Sequence, residues 1–117
     1  PVSPLKGALM PAIVTAIRID VPDTPTLTPV LDRYVMGNRP AVMLYDLAEE
    51  ELWSDLTVNL DDALPEGCAF VPYDRRVYLD ALIEQGYATI IGDTSYGNFG
   101  QRAYIVQLAP KLIAKEG

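Results

Sequence analysis

Hydrophobic and polar positions alternate most regularly over residues 52–60. One side of this alternation is mostly apolar and consists of Leu52, Ser54, Leu56, Val58 and Leu60. The other side consists of Trp53, Asp55, Thr57 and Asn59. Because successive side chains of a strand point to opposite faces, the pattern predicts a strand with its apolar face in the core and its other face towards solvent.

Two further strands are predicted on either side of a short turn. Residues 30–36 and 40–47 are rich in apolar and β-branched side chains, and the tripeptide Gly-Asn-Arg at 37–39 separates them. Gly and Asn tolerate the positive φ angles of tight turns. The segment is therefore typical of an antiparallel hairpin.

The first of these strands could instead be a short helix. Thr28 would then be its N-cap, Pro29 would occupy its first turn and Gly37 would follow its end. Both interpretations remain open from the local pattern alone.

A helix is predicted over residues 75–85. Apolar side chains recur there at helical spacing, and Asp74 precedes the segment as a candidate N-cap. Gly86 follows it, at the position where a left-handed C-terminal cap is common. We expect the apolar side of this helix to pack on the sheet.

Three more strands complete the predicted elements. Residues 13–19 place Ile13, Thr15, Ile17 and Ile19 on one face of a β-branched segment. Residues 87–91 and 103–108 are also apolar, and we expect a long glycine-containing loop at 92–102 to connect them.

These elements predict an α+β fold, in which a mainly antiparallel sheet of about five strands packs against one principal helix at residues 75–85. A chain of 117 residues, half of them hydrophobic, has the usual size of one compact domain. Prolines concentrate in residues 1–29, which we expect to form an extended arm with the strand at 13–19. The compact domain is expected at residues 30–110, and a C-terminal tail at 111–117.

Charge is strongly segregated along the chain. Sixteen acidic and nine basic residues give a formal net charge of −7, yet residues 40–74 contain nine carboxylates and neither lysine nor arginine. This acidic block consists of Asp46, Glu49, Glu50, Glu51, Asp55, Asp61, Asp62, Glu66 and Asp74. Such a field attracts basic surfaces and repels phosphate backbones. We therefore expect a protein partner with a basic surface, no direct contact with nucleic acid and no binding to membranes.

The residue types present exclude several kinds of chemistry. The chain has no histidine, which removes Ser-His-Asp and Cys-His nucleophile systems and histidine-ligated metals. Its single cysteine, Cys68, has apolar neighbours and is predicted to be a buried hydrophobe rather than a reactive thiol. The longest apolar run, residues 7–17, is shorter than the roughly twenty residues that cross a bilayer. We expect a cytoplasmic protein with no cofactor, no metal and no catalytic residue.

The candidate partner-binding residues combine exposed acids with the single tryptophan. They are Glu49, Glu50, Glu51, Trp53, Asp55, Asp61 and Asp62. The three glutamates precede the strand at 52–60, and the two adjacent aspartates follow it. A tryptophan among acids is typical of an interface anchor.

Four features carry a resemblance: the run Arg-Tyr-Val-Met-Gly-Asn-Arg-Pro-Ala-Val-Met-Leu-Tyr-Asp at 33–46, the segment Leu-Thr-Val-Asn-Leu at 56–60, the stretch at 64–70, and the predicted helix followed by the segment that ends at Gly92. Together they resemble a family of small uncharacterised bacterial, phage and plasmid proteins, known as a domain of unknown function. The resemblance covers about residues 30–108 and leaves the proline-rich arm outside. It implies a strand rather than a helix at 30–36, and it brings no activity and no catalytic residues.

Three classes of function are compatible with the sequence. The first, which we favour, is a non-enzymatic protein-interaction module whose acidic hairpin face docks a basic partner, including a mobile-element inhibitor that mimics the charge of DNA. The second is a homo-oligomeric structural module that uses its acids for solubility. The third is an enzyme that uses carboxylates such as Asp55 with Glu51, or a hard metal at Asp61, Asp62 and Glu66.

Overall fold

The computed structural model describes residues 12–34, 39–60 and 64–113, and these residues form two antiparallel sheets and two helices. The first sheet, in the order β1-β2-β3-β4, consists of β1 (Ala12–Ile13), β2 (Leu27–Arg33), β3 (Pro40–Asp46) and β4 (Glu51–Asp55). The second, in the order β5-β7-β6, consists of β5 (Cys68–Pro72), β6 (Ala88–Tyr96) and β7 (Gln101–Leu108). The α+β class is confirmed, whereas the expectation of one five-stranded sheet is wrong.

The two sheets exist because the predicted strand at 52–60 is divided. The amides of Leu56 and Thr57 both donate to the carbonyl of Val42, at 3.0 and 3.2 Å, and this ends β4. The amide of Val58 then donates to the carbonyl of Phe70, at 2.9 Å, in an isolated bridge to β5. The stretch at 52–60 therefore pairs with the first sheet up to Asp55 and with β5 of the second sheet at Val58.

The alternation also fails within β4, because a β-bulge interrupts it. Ser54 lies opposite Leu44 and Leu52 lies opposite Tyr45, so Trp53 is the extra residue of the bulge. A bulge shifts the alternation of side chains. Leu52, which was expected in the core, is 57% exposed, whereas Thr57, which was expected to face solvent, is buried.

The hairpin of β2 and β3 is confirmed, with Leu27 opposite Asp46 at one end and Arg33 opposite Pro40 at the other. The alternative helix is wrong, because Thr28 and Pro29 lie inside β2. The Gly-Asn part of the predicted turn lies outside the described residues.

The predicted strand at 13–19 is wrong beyond Ile13, because a buried hydroxyl holds the following residues in a turn. The hydroxyl of Thr28 lies within hydrogen-bonding distance of the carbonyls of Val14 and Ile17. Val14 and Ile17 are buried with Ile19 in the core. The boundary expected at residue 29 therefore falls inside β2, and the described part of the arm contributes to the core.

Helix α1 (Arg76–Glu84) follows a 3₁₀ turn at Tyr73–Arg75. Asp74 is not the N-cap, because it lies within the 3₁₀ turn and no side chain caps the helix. Gly86 does end the helix in the left-handed region, with φ of +82°. Leu79 and Leu82 bury one side of the helix in the core that both sheets share.

Strand β6 extends to Tyr96, so the loop expected at 92–102 is mostly strand. A second bulge at Ile91 shifts the register, and pairing then continues until Tyr96 lies opposite Gln101. The remaining turn contains Gly97 and Gly100, with φ of +73° and +70°. After β7, helix α2 (Pro110–Ile113) replaces the first part of the expected tail, and residues 114–117 lie outside the described residues.

Replacing Thr28 by Val tests the buried hydroxyl that holds the turn at residues 14–17. The change keeps the β-branched shape but leaves the carbonyl of Ile17 without its hydroxyl donor, whereas the carbonyl of Val14 keeps the amide of Ile17. We therefore expect a loss of about 1–3 kcal/mol in the free energy of unfolding. Urea denaturation measures it. Thr26→Val is the matched control, because the Thr26 hydroxyl bonds to Asp20 on the surface, at 2.7 Å. Equal effects of the two changes would contradict this role of Thr28.

Candidate functional site

Strand β4 is the outer strand of the first sheet, and it carries a run of exposed side chains. Glu49 and Glu50 end the turn before it, and Glu51, Leu52 and Trp53 form its first part. Leu52 is 57% exposed and Trp53 is 43% exposed. We call these residues, 49–53, the acidic edge.

The turn that presents the glutamates is organised by Asp46. This carboxylate is buried, and its Oδ1 accepts hydrogen bonds from the amides of Ala48 and Glu49, at 3.0 and 3.3 Å. Glu50 has a φ of +54°, which closes the turn before β4 begins. Asp46 is therefore a structural residue, although it belongs to the acidic block by sequence.

The far end of β4 is fixed by an arginine. The Nε of Arg75 donates to the backbone carbonyl of Asp55, at 2.9 Å.

Two residues after Asp55, the side-chain hydroxyl of Thr57 forms a 2.7 Å hydrogen bond with the hydroxyl of Tyr34. Burial raises the pKa of Tyr34 to about 12, so this phenol stays protonated and the contact is structural.

The structure brings together only part of the predicted binding set. Glu49, Glu50, Glu51 and Trp53 lie on the acidic edge, and Asp55 is partly buried at the opposite end of β4. The two remaining residues, Asp61 and Asp62, lie outside the described residues.

The described residues contain no group of three or more cysteines, aspartates and glutamates placed to hold a metal ion. Because two of the three suggested ligands are outside the described part, the metal hypothesis at Asp61, Asp62 and Glu66 stays a prediction. Cys68 is fully buried, and burial raises the pKa of its thiol. Both observations agree with its expected role as a core residue.

A second surface feature was not predicted from sequence: a stacked tyrosine pair between two arginines. The rings of Tyr73 and Tyr104 lie 4.2 Å apart with 18° between their planes. Arg102 lies over the ring of Tyr73 and Arg76 over the ring of Tyr104, at 5.7 and 5.1 Å. Only the pairing of β5, β7 and the 3₁₀ turn brings these distant positions together.

Hydrogen bonds fix the same cluster in the half of the β6–β7 hairpin that is nearer its turn. Asp93 accepts from the hydroxyl of Tyr73 and from Nη2 of Arg102, both at 2.6 Å. The Tyr73 hydrogen bond, supported by the charge of Arg102, holds the pKa of Asp93 below its usual value. Arg76 pairs with Asp80 at 2.7 Å. Each arginine has an acidic partner, so the cluster carries little net charge.

A shallow pocket of about 220 Å³ lies beside this cluster. It is lined by Pro72, Tyr73, Asp74, Tyr96, Gln101 and Arg102. At the end of the same hairpin, Phe99 is 90% exposed. The amino-acid sequence around residue 99 does not predict this pocket, because the pocket forms only when β6 continues to Tyr96.

No family model, curated protein or solved structure matches this chain. The resemblance over residues 30–108 therefore stays a prediction. Among the described residues, no helix has both the length and the apolar character that crossing a bilayer requires.

Replacing Tyr73 by Phe tests the network around Asp93. Loss of the phenol hydrogen bond should raise the pKa of Asp93 towards its ordinary value, which NMR titration of the carboxyl carbon measures. A depressed folded-state pKa stabilises the protein above the unfolded-state pKa, and this stability is lost as the pH falls through the folded-state pKa. The stability difference between the variant and the wild type should therefore be present at neutral pH and shrink in acid.

Tyr78→Phe is the control for this titration, because Tyr78 is partly buried and lies outside the network. An Asp93 titration that is the same in the wild type and in Tyr73→Phe would refute the hydrogen bond as the main cause.

Proposed function

We propose that this chain is a non-enzymatic binding module whose acidic edge docks on a basic surface of a protein partner. One observation carries the proposal: three adjacent carboxylates and two large apolar side chains are exposed in succession where a turn leads into the outer strand of a sheet. Charged residues at an edge strand also limit aggregation. That role alone does not require Leu52 and Trp53 to be exposed beside them.

The charges of the acidic edge are available to a partner. Within the part of the chain that the structure describes, no cation lies within 4 Å of the carboxylates of Glu49, Glu50 or Glu51. Uncompensated charges of one sign speed the approach of an oppositely charged surface and select against like-charged ones. Binding through this edge should therefore weaken as salt is added.

The apolar side chains supply the part of an interface that excludes water. Interfaces typically have an apolar centre with aromatic anchors and a polar rim. Trp53 and Leu52 are suited to the centre, and the three glutamates are suited to the rim. The bulge supports this arrangement, because it places two successive large side chains at the surface.

A mobile-element inhibitor is one specific form of this function, in which the basic partner surface is a DNA-binding groove. Duplex DNA presents charges at regular intervals of about 1.7 Å along its axis. The acidic edge instead concentrates three charges near one turn. This arrangement supports docking on a compact basic patch more directly than replacement of a long stretch of DNA.

Neutralising the acidic edge with Glu49→Gln, Glu50→Gln and Glu51→Gln should weaken binding to a basic probe. A synthetic lysine-rich peptide serves as the probe, and the fluorescence of Trp53, the single tryptophan of the chain, reports binding directly. Exposed charge pairs contribute about 0.2–1 kcal/mol each. The triple variant should therefore bind about tenfold more weakly at low salt, with a smaller salt dependence.

The control is a second triple variant, in which three acids elsewhere on the surface are neutralised. Asp23→Asn, Glu66→Gln and Glu84→Gln also remove three charges, at exposed positions away from the acidic edge. This variant should bind the peptide almost as the wild type does. Equal losses in the two triple variants would mean that binding follows net charge alone, and the proposed site would be wrong.

Removing the anchor with Trp53→Ala tests the apolar part of the site. A central interface tryptophan typically contributes 2 kcal/mol or more, so binding to the same peptide should weaken by about thirtyfold or more. Isothermal titration calorimetry measures the affinity of the variant for the peptide, and a thermal melt verifies that the variant is folded. Val77→Ala, at another exposed apolar position, is the control. Unchanged affinity in Trp53→Ala would exclude Trp53 as the anchor.

A further inference from the structure

The β6–β7 hairpin ends in an aromatic side chain that the fold does not use. Phe99 is 90% exposed, more than any other large hydrophobic side chain in the described residues. It stands in a four-residue turn with Gly97 and Gly100, both at positive φ, where a side chain is strained. At Gly97 an added Cβ would also lie 2.5 Å from Oε1 of Gln101. The turn therefore presents the phenyl ring to solvent.

Side-chain contacts connect the two strands of the hairpin a few residues before the turn. Asp93 on β6 and Arg102 on β7 form a 2.6 Å ion pair across the hairpin, and Tyr73 donates to the same carboxylate. The stacked ring of Tyr104 supports Tyr73 from below. These contacts link the two strands from which the turn extends.

The end of this hairpin is also poor in charge. Residues 94–101 contain no acidic or basic side chain, and the nearest charges, Asp93 and Arg102, neutralise each other. A chain with a formal charge of −7 repels its own copies most strongly at its acidic edge. Two copies can approach with least repulsion at the neutral hairpin.

The pocket beside the end of the hairpin has the size and lining for one aromatic side chain. Its volume of about 220 Å³ lies below the range of roughly 300–1,000 Å³ that is typical of small-molecule sites. Its lining combines Pro72 and two tyrosines, Tyr73 and Tyr96, with the polar residues Asp74, Gln101 and Arg102. Tyr96 and Gln101 also frame the turn that carries Phe99, so anchor and pocket are close neighbours.

We propose that two copies of this chain associate through their β6–β7 hairpins, with Phe99 of each copy inserted into the pocket of the other. Such an arrangement is reciprocal, as a two-fold interface requires, because each copy provides one anchor and one pocket. The contact area of one hairpin is small, so the dimer is weak and depends on concentration. The acidic edge takes no part, and this inference does not rest on the proposed binding function.

Sedimentation equilibrium over a concentration series tests the association. The wild type should form a dimer, and Phe99→Ala should weaken the dimer by about tenfold or more, because an inserted aromatic anchor is lost. The variant should keep the thermal stability of the wild type, since the side chain makes few contacts within its own chain. Val77→Ala, which is 54% exposed on α1, should leave the dimer unchanged. A monomer at every concentration, or a dimer unaffected by Phe99→Ala, would overturn the proposal.

A cross-linking experiment locates the contact. The photoreactive residue p-benzoylphenylalanine is placed at position 99, and this chain is mixed with a ¹⁵N-labelled copy of the wild type. After irradiation, mass spectrometry should find position 99 joined to labelled residues 72–74 or 96–102, which only contact between copies can produce. Cross-links to the labelled acidic edge would overturn the proposal. The proposal would also be overturned if the wild type stayed monomeric at every concentration while its pocket bound a phenylalanine-containing peptide.

Discussion

The fold depends on the point where the chain passes from the first sheet to the second. The carbonyl of Val42 accepts the amides of both Leu56 and Thr57, and the next residue, Val58, donates to Phe70. Two sheets are thereby joined by three successive residues, and their inner faces share one core with α1. This crossing covers the outer edge of β5 at Phe70 and leaves β4 at the edge of its own sheet. The location of the acidic edge is thus a direct consequence of the crossing.

The acidic block divides into residues with different physical roles. Asp46 is buried, and its carboxylate accepts hydrogen bonds from two amides of the turn. The three glutamates that follow it are at the surface. A buried carboxylate that accepts amide hydrogen bonds cannot contact a partner directly. One acid therefore shapes the turn that presents the others. The number of acids in the sequence overstates the number of carboxylates that a partner can contact.

The sequence predicted the elements whose pattern is local, namely the β2–β3 hairpin and the helix that ends at Gly86. It failed where a bulge inserts one residue, at Trp53 in β4 and at Ile91 in β6, because a bulge shifts every later side chain without any change in composition. The members of the predicted binding set that lie together on the acidic edge are Glu49, Glu50, Glu51 and Trp53, which are also close in sequence. The Tyr73–Tyr104 stack could not be predicted, because it requires the register between β5 and β7, which long-range packing decides.

The two proposed interactions should respond to salt in opposite ways, because the composition of the two surfaces differs. In the proposed docking, the acidic edge attracts a basic surface through uncompensated charge, which ions screen over a distance of about 8 Å at physiological ionic strength. The hairpin end has no charge of its own, so the repulsion that opposes its self-association comes from the rest of a chain of net charge −7. Screening weakens the first interaction and removes an obstacle to the second. A partner at the acidic edge would also cancel part of that repulsion, because it would bring positive charge to the same molecule.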